Sequence, residues 1–223
     1  MQKEAEKLRQ SVIYSIGFIS ILWLIKFYEM GTDSDLSFLG ILPRTLKGSV
    51  GIITSPLIHG NFAHLLSNTF PLLLLTAGVV YFYNRIAFQV VSIIYILTGI
   101  WVWIIAREAY HIGASGLVYG LVTFLFFSGV FRKDASSVAL SLIVIFLYGG
   151  MLYGLVPTDS GVSYESHIIG AVTGMLIAFY FRKTKTLAIK TYDWMDEEEE
   201  NENMNTTYEI KYKYRYREED NKD

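Results

Sequence analysis

Six stretches between residues 11 and 182 reach or approach the length needed to cross a lipid bilayer, and they dominate what this chain can fold into. They run over about 11–29, 62–83, 86–106, 115–131, 136–156 and 166–182. A spanning helix needs roughly 20 apolar residues, with about 17 the lower bound. The expected fold is therefore all-α, a polytopic six-transmembrane-helix bundle. Of 223 residues, 52% are hydrophobic and only 18% charged, and the charges gather at the ends. That segregation argues against a globular core with a mixed charged surface. Residues 1–10 are charged, and the apolar run that follows is long enough to stay embedded. It is not followed by an Ala-x-Ala-like site, so a retained first helix is expected.

Charge asymmetry sets the expected orientation. Six spans place both termini on one side. The cytoplasmic assignment collects Lys3, Lys7, Arg9, Arg85, Arg132, Lys133, Arg182, Lys183, Lys185 and Lys190. Arg44, Lys47 and Arg107 then fall in outer loops, with Lys26 near the outer end of the first helix. This follows the positive-inside rule. The chain divides into a cytoplasmic segment 1–10, a six-helix domain 11–182 with an outer loop 30–61, and a charged tail 183–223. The outer loop mixes apolar residues with Gly, Ser, Thr and two prolines, so it should lie partly in the membrane interface. Short turns at Asn84-Arg85 and at 132–134 make helices two and three, and four and five, expected antiparallel neighbours. In the tail an acidic block precedes alternating tyrosines and charges. A lone strand has no partner there, so a disordered cytoplasmic tail is expected. Nucleic acid is not an expected partner; the lipid bilayer is.

The fourth and sixth spans are short, and each begins at a polar residue, Ser115 in Gly113-Ala114-Ser115-Gly116 and His167 before Gly170 and Gly174. Polar side chains at such depth are costly unless they serve function or satisfy one another. In the assigned topology both lie toward the outer face. A serine hydroxyl needs a base to become nucleophilic, and histidine is the usual base. Gly116 and Gly120, like Gly170 and Gly174, stand four apart, a spacing that lets helix backbones approach closely. Gly170 and Gly174 share a helix face with His167. Ser115 and His167 can then meet. Tyr119, one turn after Ser115, can stack on the imidazole. Glu165 stands two residues before His167 and points elsewhere, so a dyad is expected rather than a triad. His64 and Asn68, one turn apart on the second span, can aim at a developing oxyanion. The backbone N–H of Ser115, at a helix start lacking internal acceptors, is a third donor. Gly113 permits the tight turn that exposes it. His59 reads as a loop residue supporting the second helix, and His111 has no evident role. Cysteine is absent, the four histidines are dispersed, and the helical core lacks carboxylates, so neither metal nor cofactor is expected.

Together these residues resemble the rhomboid family of intramembrane serine proteases over about residues 10–182. The resemblance implies the bare six-helix core, with Ser115 as nucleophile and His167 as general base. It also implies His64 and Asn68 on the oxyanion side, Tyr119 packing on the base, and Gly170 and Gly174 in a close helix contact. Its implied substrates are transmembrane segments of other proteins, cut near the outer membrane face. The implied setting is a bacterial inner membrane. One departure stands out: many members carry a Trp-Arg pair in the first outer loop, whereas this loop has Pro43-Arg44 and no tryptophan. That makes a catalytically inactive rhomboid-like protein binding membrane helices the alternative. A small transporter would need charges near mid-membrane, which are absent.

Overall fold

Why the helices stop where they do is written mostly in glycine and charge. The computed structural model describes residues 2–156 and 163–184; beyond residue 184 the expected tail lies outside them. Seven α-helices occur there: α1 (Gln2–Thr32), α2 (Gly51–Thr54), α3 (Phe62–Phe82), α4 (Ala87–Ile105), α5 (Ser115–Arg132), α6 (Ala135–Tyr148) and α7 (Tyr164–Tyr180). Five segments are long and apolar enough to cross a membrane: those at 4–32, α3, α4, α5 and the 135–155 stretch. The last expected span, α7, has 17 residues and sits at the short limit. The protein is thus an all-α polytopic bundle with five membrane-length helices.

The first helix begins earlier than the apolar run requires. Residues 2–10 are straight-chain helix formers, and Glu4 pairs with Lys7 at 3.3 Å one turn on, so the helix continues outward. At the opposite end Lys26 donates to Glu29 (3.1 Å) and to the His59 carbonyl (2.8 Å), while Glu29 accepts from the Leu36 N–H (3.0 Å). This largely buried pair fastens the end of α1 to both ends of the outer loop.

The fifth span also differs from expectation. Its α-helix ends at Tyr148, and Gly149–Leu155 continues as a 3-10 helix. The Gly149-Gly150 pair lowers helix propensity at that point. In this tighter segment carbonyls are left free to receive side chains from α5 and α7.

Bundle order follows the glycines. α5 is the most enclosed of the long helices, packed against α7, α6, α3 and α4, while α1 packs along α3. Leu117, Leu121, Phe124 and Leu125 of α5 are buried in one core with Leu72, Leu75 and Ile94. A Cβ on Gly170 would run into the Gly116 carbonyl, and one on Gly174 into the Gly120 carbonyl. The backbones of α5 and α7 therefore touch. Lys133 in left-handed backbone (φ 60°) and Asp134, which accepts from the Ser137 N–H at 2.9 Å, turn the chain tightly from α5 into α6. Those two helices pack side by side as expected. The four-residue turn between α3 and α4 does not have that result, because a turn fixes proximity at one end only. α3 lies along α1, and α4 turns toward α7. Outward faces carry large apolar side chains such as Phe88 and Phe146, 82% and 87% exposed, which suits lipid rather than water.

The outer loop is built, not loose. It contains 3-10 turns at Ser37–Leu39, Lys47–Val50 and Ser55–Leu57 around α2. Arg44, at φ 58°, donates its main-chain N–H to the Trp103 carbonyl (2.9 Å) and its guanidinium to the Ala106 carbonyl (2.7 Å). In return the Trp103 indole N–H donates to the Thr45 carbonyl at 2.9 Å. Loop residues 44 and 45 are thereby fastened to Trp103 of α4.

Candidate functional site

Ser115 is the first residue of α5, where first-turn amides have no acceptor within the helix. The approach to it is locked by three contacts. Gly113 sits at φ +104°, a conformation that L side chains rarely adopt, and its N–H donates to the Ser55 carbonyl at 2.9 Å. A Cβ there would also lie 2.6 Å from Cε1 of the His64 ring. Glycine is needed at 113 for both reasons. The Ala114 N–H reaches Nε2 of His59 at 3.4 Å.

His167 lies in the first turn of α7, whose N-cap is Ser163. Its Nε2 is 2.8 Å from the Ser115 hydroxyl, and its Nδ1 is 2.8 Å from the Gly154 carbonyl. A carbonyl oxygen only accepts, so Nδ1 carries the ring proton and Nε2 turns its lone pair to Ser115. The Tyr119 ring stacks on the imidazole, with centroids 4.3 Å apart and planes 13° from parallel. Its hydroxyl donates to the Met151 carbonyl at 2.6 Å. Both carbonyls come from the 3-10 segment Gly149–Leu155, whose role no sequence pattern advertised, because a backbone acceptor has no residue signature.

Those contacts leave no room at 154. A Cβ on Gly154 would overlap the Tyr119 hydroxyl and lie 3.3 Å from His167 Nδ1. Gly154→Ala should therefore lower any turnover that depends on His167 by about 100-fold, since misplacement by about 1 Å has that scale. Steady-state kinetics on the variant checks this. Activity within about threefold of wild type would show that the carbonyl does not orient the ring.

His64 and Asn68 of α3 face the same recess. Asn61 caps α3 by accepting from the His64 N–H (2.8 Å), and Asn68 Nδ2 donates one hydrogen to the His64 carbonyl (3.1 Å), leaving its second free for another acceptor. Together with Ser115, Tyr119 and His167 they line a cavity of about 730 Å³ that also takes in Tyr148, Met151 and Ser163. The sequence-predicted polar residues thus converge on one space. The glycines at 116, 120, 170 and 174 meet between α5 and α7, and Gly116 and Gly120 also admit Thr98 and Ile94 of α4. Glu165 turns away to Arg107 at 3.5 Å, as expected from its position.

His59 and His111 have more defined places than the sequence implied. His59 is buried, its ring edge set against His64 with centroids 5.0 Å apart. Burial first, then the neighbouring His64, pushes its imidazole down to about 4. An unfolded histidine titrates near pH 6.5. Folding thus favours the neutral ring, and that stabilisation is complete above pH 6.5 and is lost as pH falls through 4. The melting temperature in detergent should drop across that window, and His59→Gln, which keeps an acceptor for Ala114 but cannot titrate there, should flatten the drop. An unchanged slope in that variant would remove His59 as its source.

Comparison with known proteins adds family evidence. The Rhomboid domain family model matches residues 47–184. An uncharacterized protein of Mycobacterium tuberculosis is 36% identical over 178 residues, covering 74% of this chain and 72% of its own. An uncharacterized protein of Mycobacterium leprae is 33% identical over 192 residues, covering 77% of this chain and 73% of its own.

Proposed function

Because this chain belongs to the rhomboid family, we propose that it is an intramembrane serine endopeptidase in which Ser115 and His167 form the catalytic dyad. The observation that carries the reading is the pair of contacts made by the His167 ring. With Nδ1–H held by the Gly154 carbonyl, Nε2 is the free base, 2.8 Å from the serine hydroxyl. This contact opens onto the cavity that His64 and Asn68 also line.

The chemistry follows. A substrate helix enters from the lipid between α3 and α6 and unwinds at the outer recess, exposing a carbonyl that an intact helix keeps hydrogen-bonded. Ser115 Oγ bonds to the carbonyl carbon as its proton passes to His167 Nε2. The oxyanion is held by the Ser115 N–H, the free Asn68 amide hydrogen and the His64 ring. His167 then gives its proton to the leaving amine and the peptide bond breaks. Water, deprotonated by His167, attacks the acyl-serine; the bond to Ser115 Oγ breaks, His167 returns the proton to that oxygen, and the carboxylate product leaves. Tyr119 limits ring rotation throughout. In this reading α7 is the sixth span, both termini are cytoplasmic, and the enzyme works in a bacterial cytoplasmic membrane, as the mycobacterial relatives support. The inactive alternative drew on the altered first loop, and the bonds that tie Arg44 and Thr45 to Trp103 weaken that ground.

A fluorophosphonate probe on the protein in proteoliposomes tests the reading. Labelling at Ser115, lost in Ser115→Ala and in His167→Ala, is the expected result. Equal labelling of both variants would refute the dyad.

A further inference from the structure

His111 takes no part in these steps, yet it is buried and both of its ring nitrogens are engaged. Nε2 lies 3.0 Å from the Arg107 carbonyl and so carries the proton. Nδ1 then accepts from the Ser163 hydroxyl, 2.6 Å away. The Ser163 oxygen in turn receives the Ser166 hydroxyl at 2.7 Å and the Ser166 N–H at 3.3 Å. Every hydrogen in this chain of contacts has one assignment.

Its spacing repeats that of the dyad. His111 stands four residues before Ser115, and Ser163, the N-cap of α7, stands four before His167. Both pairs are 52 residues apart in sequence. α5 and α7 run parallel at a near-constant offset, and the glycine contacts 116–170 and 120–174 continue it inward. Further in, Thr123 donates to the Ala171 carbonyl at 2.8 Å. The dyad is bracketed by a polar tie above and another below. Such ties add to the Tyr119–His167 stack in resisting sliding, because the glycine-lined stretch between the two helices has no side chains of its own to interlock. The upper tie has a firm base. His111 exchanges both backbone hydrogen bonds with Ile41 of the outer loop, each at 2.9 Å. A second link at this end, Arg107 to Glu165 at 3.5 Å, has its arginine 44% exposed and is correspondingly weaker.

We propose that His111 is a positioning residue which, through Ser163, sets the axial register of α7 against the start of α5 and hence the reach of His167 to Ser115. The inference rests on the dyad reading. It requires that loss of the tie reduces turnover while substrate binding, made elsewhere in the cavity, persists.

The test compares wild type, His111→Phe, His111→Asn, Ser163→Ala and the His111→Phe/Ser163→Ala double variant in proteoliposomes. Cleavage kinetics of a single-span substrate, fluorophosphonate labelling rate and melting temperature are read on each. His111→Phe and Ser163→Ala should each lower kcat about tenfold with KM within about twofold. The double variant should be no worse than the weaker single one, because one link is removed either way. His111→Asn, whose amide oxygen can replace Nδ1 as acceptor, should recover most of the loss. The proposal is overturned if both single variants stay within about twofold of wild-type kcat, or if their losses add in the double variant. It is equally overturned if the losses follow the melting temperature and His111→Asn does not restore them. A wild-type protein that neither labels at Ser115 nor cleaves sinks the dyad reading first, and the positioning role with it. An active wild type with unaffected variants sinks the positioning role alone.

Discussion

Ser115→Ala should lower cleavage of a single-span substrate by about 10,000-fold or more, with the bundle intact and its melting temperature little changed. The serine side chain is small and its removal opens almost no space, so the loss isolates chemistry from folding. His167→Ala should fall by a similar factor, and the Ser115→Ala/His167→Ala double variant no further. A base without its nucleophile, or the reverse, has nothing left to contribute. Quantitative mass spectrometry of the cut products in proteoliposomes makes the measurement. Ser115→Ala retaining a tenth of wild-type turnover would exclude covalent catalysis at 115 (about a thousandfold more than expected). Single losses at His64 and Asn68 should be smaller, about 2.7–4 kcal/mol each, because the remaining donors still hold the oxyanion.

Gly170→Val should disable the protein by another route. A Cβ at 170 would overlap the Gly116 carbonyl, and a branched side chain has no flexible end with which to escape. α5 and α7 must then separate, carrying Ser115 away from His167. Overpacking of this kind costs about 1–3 kcal/mol or more, and a shift of about 1 Å between the reacting groups costs about 100-fold in rate. Melting temperature and turnover should therefore fall together, unlike the Ser115→Ala case. Gly17 supplies the control: a Cβ there meets nothing within 4 Å, so Gly17→Ala should leave both quantities at or slightly above wild type. Wild-type behaviour of Gly170→Val would mean that the helix contact is not as close as the glycines imply.

The readability of this fold varies from element to element. The spans were plain because lipid demands long apolar runs, and α3, α4 and α5 begin and end within about two residues of those runs. The break at Tyr148 was not anticipated, although Gly149-Gly150 marks it, because an apolar run looks the same whether its backbone is α or 3-10. The divergence of α3 from α4 escaped a reading based on loop length, since the partners of each helix are set by faces far from the turn. Ser115, His167, His64, Asn68 and Tyr119 stood out as polar groups in apolar surroundings. His111 and Ser163 did not: one is a loop histidine, the other a common serine, and only their meeting gives them meaning. Gly154 and Met151 contribute carbonyl oxygens that any residue could offer.

Residue type and spacing were enough to establish a helical membrane bundle and to single out which side chains are too polar for their depth. Those conclusions depend on the cost of placing each group in lipid, a property that each segment carries alone. The tautomer of His167, the source of its supporting carbonyls and the tie from His111 to Ser163 depend instead on distances between segments 13 to 52 residues apart. Hydrogen bonds are short-ranged and directional, so nothing along the chain encodes them until packing brings donor and acceptor within about 3 Å.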